Sequence, residues 1–227
     1  MNGHFAIAID GPSGAGKSST AKRVAQELNA IYLDTGAMYR AVGLYMLRHG
    51  IPLNDAARIA ENAAAARVDV RYEDGAQRVF LCGEDVSSAI RENPVSAAAS
   101  AVSAVPAVRE LLVARQREIA ADADVIMDGR DIGTKVLPDA DLKVFLTASP
   151  EERARRRWLE LKGKGQDIPY EQLLEEMKQR DLNDSTRAAS PMKPAEDAVI
   201  LDSSDMTMEE VVSAIVDMAR EKAGLTQ

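Results

Sequence analysis

Lys17 and Ser18 close the run Gly11-Pro12-Ser13-Gly14-Ala15-Gly16-Lys17-Ser18, and this spacing of glycines, an ammonium and a hydroxyl suits phosphate binding. Glycines let the backbone turn tightly so that several N–H groups converge on phosphate oxygens. The N-terminus of the helix that follows adds the positive end of its dipole at the same place. Lys17 can reach β- and γ-phosphates, the Ser18 hydroxyl can hold Mg²⁺, and Ser19 follows within the same turn. A second acid-bearing element is Val125-Ile126-Met127-Asp128, an apolar strand ending in a carboxylate of the kind that holds Mg²⁺ beside a phosphate loop. Directly after it, Gly129-Arg130-Asp131-Ile132-Gly133 places two charges between two glycines.

These groups need elements to position them. The apolar run Phe5-Ala6-Ile7-Ala8-Ile9 predicts a strand before the loop, and Ala21, Val24, Ala25 and Leu28 line one face of the helix after it. Ile31-Tyr32-Leu33 reads as a second strand, with Asp34 or Thr35 capping a helix to about Arg48. That segment delivers Thr35, Tyr39 and Arg40 to the strand ends, where ligands bind in open α/β sheets. Residues 55–66 read as helical. Val68, Val70 and Tyr72 then alternate with polar residues, Asp74-Gly75 marks a turn, and Val79-Phe80-Leu81 returns, which predicts a β-hairpin inserted into a βα pattern. Cys82 reads as a packed residue of that hairpin.

Asn93-Pro94 opens a helix carrying Ser100, and Pro106 opens another with Val108, Leu111, Leu112 and Ile119 toward the core and Arg109 in its first turn. Leu142–Leu146 is a strand. Ser149-Pro150-Glu151-Glu152 is a strong helix start for a helix bearing Arg153, Arg155, Arg156 and Arg157. Gly163-Lys164-Gly165 interrupts it. A helix from about Pro169 buries Leu173, Leu174 and Met177 and ends with Arg180, Asp184 and Arg187. Ala198–Asp202 is the last strand, and Thr207-x-x-Glu210 caps a closing helix. Five apolar strands joined mainly by helices imply a parallel sheet covered on both faces.

Composition narrows the classes. The 227 residues carry 28 basic and 36 acidic side chains, a formal charge of −8, which is a poor match to general nucleic-acid binding. No apolar run approaches the roughly 20 residues of a membrane helix, and Met1-Asn2-Gly3-His4 leaves no room for a signal peptide before the first strand. The single Cys82 excludes an internal disulfide and suits a reducing cytoplasm. His4 and His49 are too isolated to suggest a metal site. The base-recognition motif Asn-Lys-x-Asp of guanine-nucleotide switches does not occur, and large ATPases need more chain. A small kinase fits: one loop for the donor, a lobe for the acceptor and an arginine-rich lid. Two unit charges 4 Å apart repel by roughly 4 kcal/mol at an effective dielectric of 20. Bringing an acceptor phosphate to ATP therefore calls for arginines and Mg²⁺. A phosphate acceptor is ionised near neutrality, so no general base is required.

The phosphate loop preceded by Ile9-Asp10 resembles that of bacterial cytidylate kinases, nucleoside monophosphate kinases of the P-loop class. So do Leu33-Asp34-Thr35-Gly36-Ala37-Met38-Tyr39-Arg40, Asp128-Gly129-Arg130-Asp131-Ile132-Gly133, the arginine run after Glu151-Glu152-Arg153, and Arg180-Asp181 with Asp184 and Arg187. The resemblance covers nearly the whole chain and implies Mg²⁺-dependent transfer of the ATP γ-phosphate to CMP or dCMP. It implies an α/β P-loop NTPase three-layer fold with a five-stranded parallel sheet. The single kinase domain would comprise a core at about 1–34, 106–150 and 188–227, an acceptor-binding insertion with a small antiparallel element at about 35–105, and an arginine-rich lid at about 151–187. Carried over by position, Gly11 to Ser19 bind ATP, Lys17, Arg130, Arg153, Arg156 and Arg157 are catalytic, and Ser18 and Asp128 are on the metal. Tyr39 lies on the acceptor side, and Arg40 and Arg130 hold the acceptor phosphate. Thr35, Arg109, Asp131 and Arg187 surround the cytosine. Ser100, Arg180 and Asp184 contact the sugar, and Arg153, Arg156 and Arg157 belong to the lid. Thr35 stands where serine is common in the family, which bears on pyrimidine discrimination. The implied partners are small molecules, with no nucleic acid or membrane, and the implied state is a monomer. The alternatives are a UMP, AMP or shikimate acceptor, or a nucleotide-binding regulatory module without transfer chemistry.

Overall fold

The computed structural model describes residues 4–73 and 75–223. They form two compact units, one of residues through Tyr32 together with those from Ala123 on, the other Leu33–Asp122.

The first unit is an α/β core. Strand β1 (Ala6–Asp10) leads into helix α1 (Lys17–Glu27), and β2 (Ile31–Asp34) opens beyond it. Strands β6 (Val125–Asp128), β7 (Leu142–Thr147) and β8 (Val199–Asp202) complete a five-stranded sheet in the order β2-β6-β1-β7-β8. Strand β1 pairs in parallel with β6 and β7, setting Ile9 opposite Asp128 and Val144. All four residues of β6 are buried, so both faces of this strand are covered, as continuous apolar parallel strands require. Helix α1 presents Ala21, Val24 and Ala25 to Ile7, Ile9, Ile126 and Leu146, and helix α8 (Met208–Ala223) adds Val211, Val212 and Ile215 to the same cluster. Each fully buried aliphatic side chain there contributes roughly 1.5–3 kcal/mol. Strand β8 is an edge, and its Ile200 is 63% exposed.

Two helices follow β7 in this unit, α6 (Pro150–Gly163) and α7 (Tyr170–Thr186). The Ser149 hydroxyl caps α6 by accepting from the Glu152 N–H at 3.2 Å. Before α8, Thr207 and Glu210 exchange the two bonds of a capping box.

The second unit holds helices α2 (Thr35–Arg48), α3 (Ala56–Asn62), α4 (Asn93–Ser103) and α5 (Pro106–Asp122), with an antiparallel sheet of β3 (Val68–Glu73), β4 (Ala76–Leu81) and β5 (Glu84–Asp85). The hairpin register pairs Val68 with Leu81 and Val70 with Val79. Asp74, half of its expected turn, lies outside the described residues, as do Met1, Asn2 and Gly3. The short β5 was not foreseen. Cys82 (φ 52°) and Gly83 (φ 91°) make the two-residue turn that creates it. That turn corrects the reading of Cys82 as packed, because the residue is exposed, its Sγ donating to the Ala65 carbonyl at 3.4 Å. Helices α2 and α4 approach closely where a Cβ on Gly43 would lie 2.9 Å from the Ala98 Cβ. Helix α5 bends by 99° from α4. Its buried positions are Val108, Arg109, Leu112 and Gln116. Leu111, expected inside, is 47% exposed, and Ile119 is half-buried. The approach of α2 is met instead by the Gln116 amide, whose Nε2 lies 3.8 Å from the Met38 sulfur. Among the described residues no single helix is long and apolar enough to cross a membrane.

Candidate active site

The phosphate loop leaves β1 at Gly11, where φ is 143° and an added Cβ would sit 2.0 Å from the Leu146 carbonyl oxygen. Only glycine passes there. Gly16 is left-handed, with φ 85°, and sits at the N-cap of α1, turning the chain so that the first helical N–H groups face the loop. Lys17 is 5% exposed and its Nζ donates to the Pro12 carbonyl at 2.6 Å. Burial, and after it the charge of Arg130, pulls the Lys17 pKa down to about 7, against the upward pull of Asp128 and Asp10. The Ser18 hydroxyl donates to Asp128 Oδ2 at 2.8 Å, and the Tyr32 hydroxyl donates to Asp128 Oδ1 at 2.8 Å. Tyr32 had no assigned role in the sequence. Its signal was only its place on the strand flanking β6.

The other charged residues of this unit are arranged in pairs. Arg130 Nε donates to Asp184 Oδ2 at 2.9 Å and its Nη1 to the Gly129 carbonyl at 3.2 Å. Arg187 Nη2 lies 3.6 Å from Asp131 Oδ1, and its Nε donates to the Ser190 carbonyl at 2.7 Å. Arg153 donates to Asp181 Oδ2 at 2.6 Å, to the Ser13 carbonyl at 2.9 Å and to the Ala148 carbonyl at 2.9 Å. Asp181 also accepts from the Ser13 N–H at 3.2 Å. Arg153 is thereby bound to the phosphate loop itself. Arg156 donates to Glu152 at 2.8 Å and to the Ser203 carbonyl at 2.5 Å, while Arg157 pairs with Glu160 at 2.7 Å on an exposed face. Arg180 is half-buried on α7, and Ser19 is exposed on α1.

The second unit presents its own group. Asp34 caps α2 by accepting from the Ala37 N–H at 2.8 Å and pairs with Arg40 Nη2 at 2.7 Å. Arg40 Nε is buried without a hydrogen-bond partner among the described residues. Gln77 on β4, missed in the sequence, accepts from the Asp34 N–H at 2.7 Å and donates to its carbonyl at 3.2 Å. Thr35 is 3% exposed and Tyr39 9%. Arg109 is 5% exposed, donates to the Ser103 carbonyl at 3.2 Å and lies over the Tyr39 ring at 5.5 Å. Arg109, in the first turn of α5, is therefore buried and not a solvated surface cation. Ser100, one turn earlier on α4, is half-buried.

The donor set at Ser18 and Asp128 is a hydroxyl and a carboxylate, both hard oxygen ligands that fit Mg²⁺. Among the described residues no cluster of three or more His, Cys, Asp or Glu side chains forms a cation cage.

The family model described as cytidylate kinase matches residues 7–221. A cytidylate kinase of Caldicellulosiruptor bescii is 53% identical over 212 residues, covering 93% of this chain and 94% of that protein. One of Pelotomaculum thermopropionicum is 52% identical over 225 residues, covering 99% of each. Among solved structures, a gluconokinase from Sinorhizobium meliloti 1021 aligns with a TM-score of 0.50 at 16% identity, covering 99% of this chain and 97% of that one. An uncharacterized protein from Eubacterium ventriosum aligns with a TM-score of 0.52 at 12% identity, covering 96% and 99%. These structural likenesses concern the fold alone. With the match spanning nearly the full length, the chain belongs to the cytidylate kinase family.

Proposed function

We propose that the chain transfers the γ-phosphate of ATP to CMP or dCMP, with Mg²⁺, giving ADP and CDP or dCDP. The observation that carries this reading is the Gly129–Gly133 segment, where Arg130 and Asp131 leave the end of a buried strand and each meets a charged partner, Asp184 and Arg187. Such pairs hold both side chains in one orientation before substrate arrives.

The phosphate loop, Gly11 to Ser19, cradles the ATP phosphates by its N–H groups, and the Lys17 ammonium balances their charge. Ser18 and Asp128 would hold Mg²⁺, which neutralises charge on the phosphates when bound. Arg130 binds the acceptor phosphate bidentately once it trades Asp184 for the phosphate anion. Arg180 and Asp184 serve the sugar. Asp131 accepts from the cytosine amine, and Arg187, 3.6 Å from its carboxylate, keeps Asp131 aimed. In the second unit, Arg40 offers its unpartnered Nε edge to an anion, Thr35 and Arg109 contact the base, Ser100 the sugar, and Tyr39 supports Arg109. Arg153, Arg156 and Arg157 form the lid, with Arg153 also bracing Ser13. Phosphoryl transfer asks the protein mainly for positioning and charge stabilisation, which is what these groups supply.

The proposed domain layout is a core at about 1–34, 106–150 and 188–227, an acceptor insertion at about 35–105 and a lid at about 151–187. The proposed state is a cytoplasmic monomer acting on small molecules.

The test is ADP release by the purified protein with ATP and Mg²⁺ across CMP, dCMP, UMP, AMP, shikimate and no acceptor. Strongest turnover with CMP and dCMP is expected. Release that ignores the acceptor would replace the reading with an ATPase or switch. Uracil places a carbonyl where cytosine has its amine, so Asp131→Ala is expected to narrow the CMP-over-UMP preference in steady-state kinetics.

A further inference from the structure

Asp10 performs no chemistry in the reading above, yet it is among the most buried charged side chains of the described residues, 4% exposed at the end of β1. Its two oxygens accept from consecutive amides, Oδ1 from the Ile132 N–H and Oδ2 from the Gly133 N–H, each at 2.8 Å. These amides begin the π turn Ile132–Val136, and the first N–H groups of any helical turn lack partners within it. Asp10 caps them from 122 residues away in sequence.

The same strand grips the segment at its other end, because the Gly129 N–H donates to the Ile9 carbonyl at 3.1 Å. Arg130 and Asp131 therefore lie between two anchors on β1. Asp131 has φ −150° and ψ 27°, outside the ordinary helix and strand regions, so helix or strand bonding does not set its direction. The contact at Gly133 is close: a Cβ there would lie 3.5 Å from Asp10 Oδ2 and 3.2 Å from the Lys143 stem. Burying a carboxylate is costly unless its bonds are strong and complete. A side chain with one acceptor oxygen would leave one of the two amides unsatisfied.

We propose that Asp10 is a positioning residue for the acceptor. Its carboxylate fixes the direction in which Arg130 and Asp131 leave the sheet, and through them the affinity for the acceptor and the choice of pyrimidine. The proposal rests on the assignment of Arg130 to the acceptor phosphate and Asp131 to the base. It assigns Asp10 to the acceptor even though Asp10 adjoins the donor loop in sequence.

The test is Asp10→Asn, which keeps the side-chain volume but offers one oxygen to two N–H donors and turns an amide NH₂ toward the other. Calorimetric titration is expected to show CMP affinity lowered about tenfold or more, with MgATP affinity within about threefold of the parent, since each bidentate or charged contact misdirected costs on the order of 1.4 kcal/mol or more. The CMP-over-UMP affinity ratio is expected to narrow. Hydrogen exchange at the Ile132 and Gly133 amides, measured without nucleotide, is expected to accelerate. Equal losses of CMP and MgATP would make Asp10 a general brace of β1 and overturn the proposal, as would unchanged CMP affinity. Should Asp10→Asn not fold, Asp10→Ser, whose hydroxyl still accepts one N–H, is titrated with the same outcomes. A parent that binds no CMP would sink the acceptor reading by itself. Exchange at Ile132 and Gly133 that does not differ between parent and variant overturns the Asp10 proposal whatever the parent binds.

Discussion

In the phosphate-loop unit Arg130, Arg153 and Arg187 each meet a carboxylate. In the 33–122 unit the buried Arg109 is held by the Ser103 carbonyl and the face of Tyr39. A guanidinium already paired with a carboxylate stays ordered in the free protein and can exchange that partner for phosphate, an anion with more acceptor oxygens. The Arg109 guanidinium, 5% exposed, is placed in part by a carbonyl oxygen and an aromatic face. The supports of the two units differ too. The first unit fixes its loops with hydrogen bonds at strand ends, such as Asp10 to Ile132 and Gly133. The second brings its helices together through small side chains, as at Gly43 and Ala98. Polar anchoring gives direction to a few side chains, and close helix packing gives a stable frame for many.

The contrast can be broken most strongly at Lys17. Lys17→Met removes the buried cation of the loop while keeping its apolar stem. It is expected to lower kcat by about 10²–10³-fold, the usual scale for losing one preorganised charge-stabilising group, with the melting temperature little changed. Loss of folding together with activity would show that the loop, not the charge, was removed.

Asp10 allows the polar anchoring to be titrated. Burial pushes its carboxyl up to about 6, more than the bonds from Gly133 and Ile132 lower it, with Asp131 raising and Lys17 lowering it further. A carboxyl raised in the folded state binds protons more tightly there than in the unfolded chain. Its contribution to stability is therefore greatest in acid and declines as pH rises from about 4 to 6, then stays level. The full change is on the order of 3 kcal/mol. Denaturant unfolding from pH 4 to 7 is expected to show this slope in the parent relative to Asp10→Asn, and parallel curves would remove the assignment.

The packed frame of the second unit is tested by Gly43→Ala. Its Cβ would lie 2.9 Å from the Ala98 Cβ and 3.0 Å from the Ala98 carbonyl carbon, so α2 and α4 must separate, at an expected cost of about 1–3 kcal/mol in chemical denaturation. The smallest expected effect is at Gln77, whose two bonds to the Asp34 backbone tie β4 to the start of α2. Gln77→Ala is expected to cost about 1 kcal/mol and to raise the KM for CMP more than that for ATP. Equal changes in both would confine Gln77 to the hairpin.

Much of this protein was legible from residue types alone. The phosphate loop, the acid ending β6, the Ser149 and Thr207 caps and the hairpin of β3 and β4 all depend on short-range chemistry: glycine conformation, local hydrogen bonds and side-chain period. The misreadings came where a local pattern met a long-range one. Leu111 follows helical spacing, yet its face of α5 is turned outward while Gln116 takes an inner position beside Met38. Cys82 follows an apolar strand, yet a left-handed turn leaves the residue exposed.

By itself, the sequence determined which residues carry charge, hydroxyl and glycine, and hence the loop, the strand ends and the family, because these follow from neighbours in the chain and from motif order. Only the tertiary structure decided the pairings. Asp10 with Ile132 and Gly133, Asp181 with Ser13, Asp184 with Arg130 and Tyr32 with Asp128 join residues far apart in sequence. No local periodicity encodes such a partner. It is chosen when strand order and helix packing bring two buried polar groups within about 3 Å, and each must then satisfy the other because water cannot.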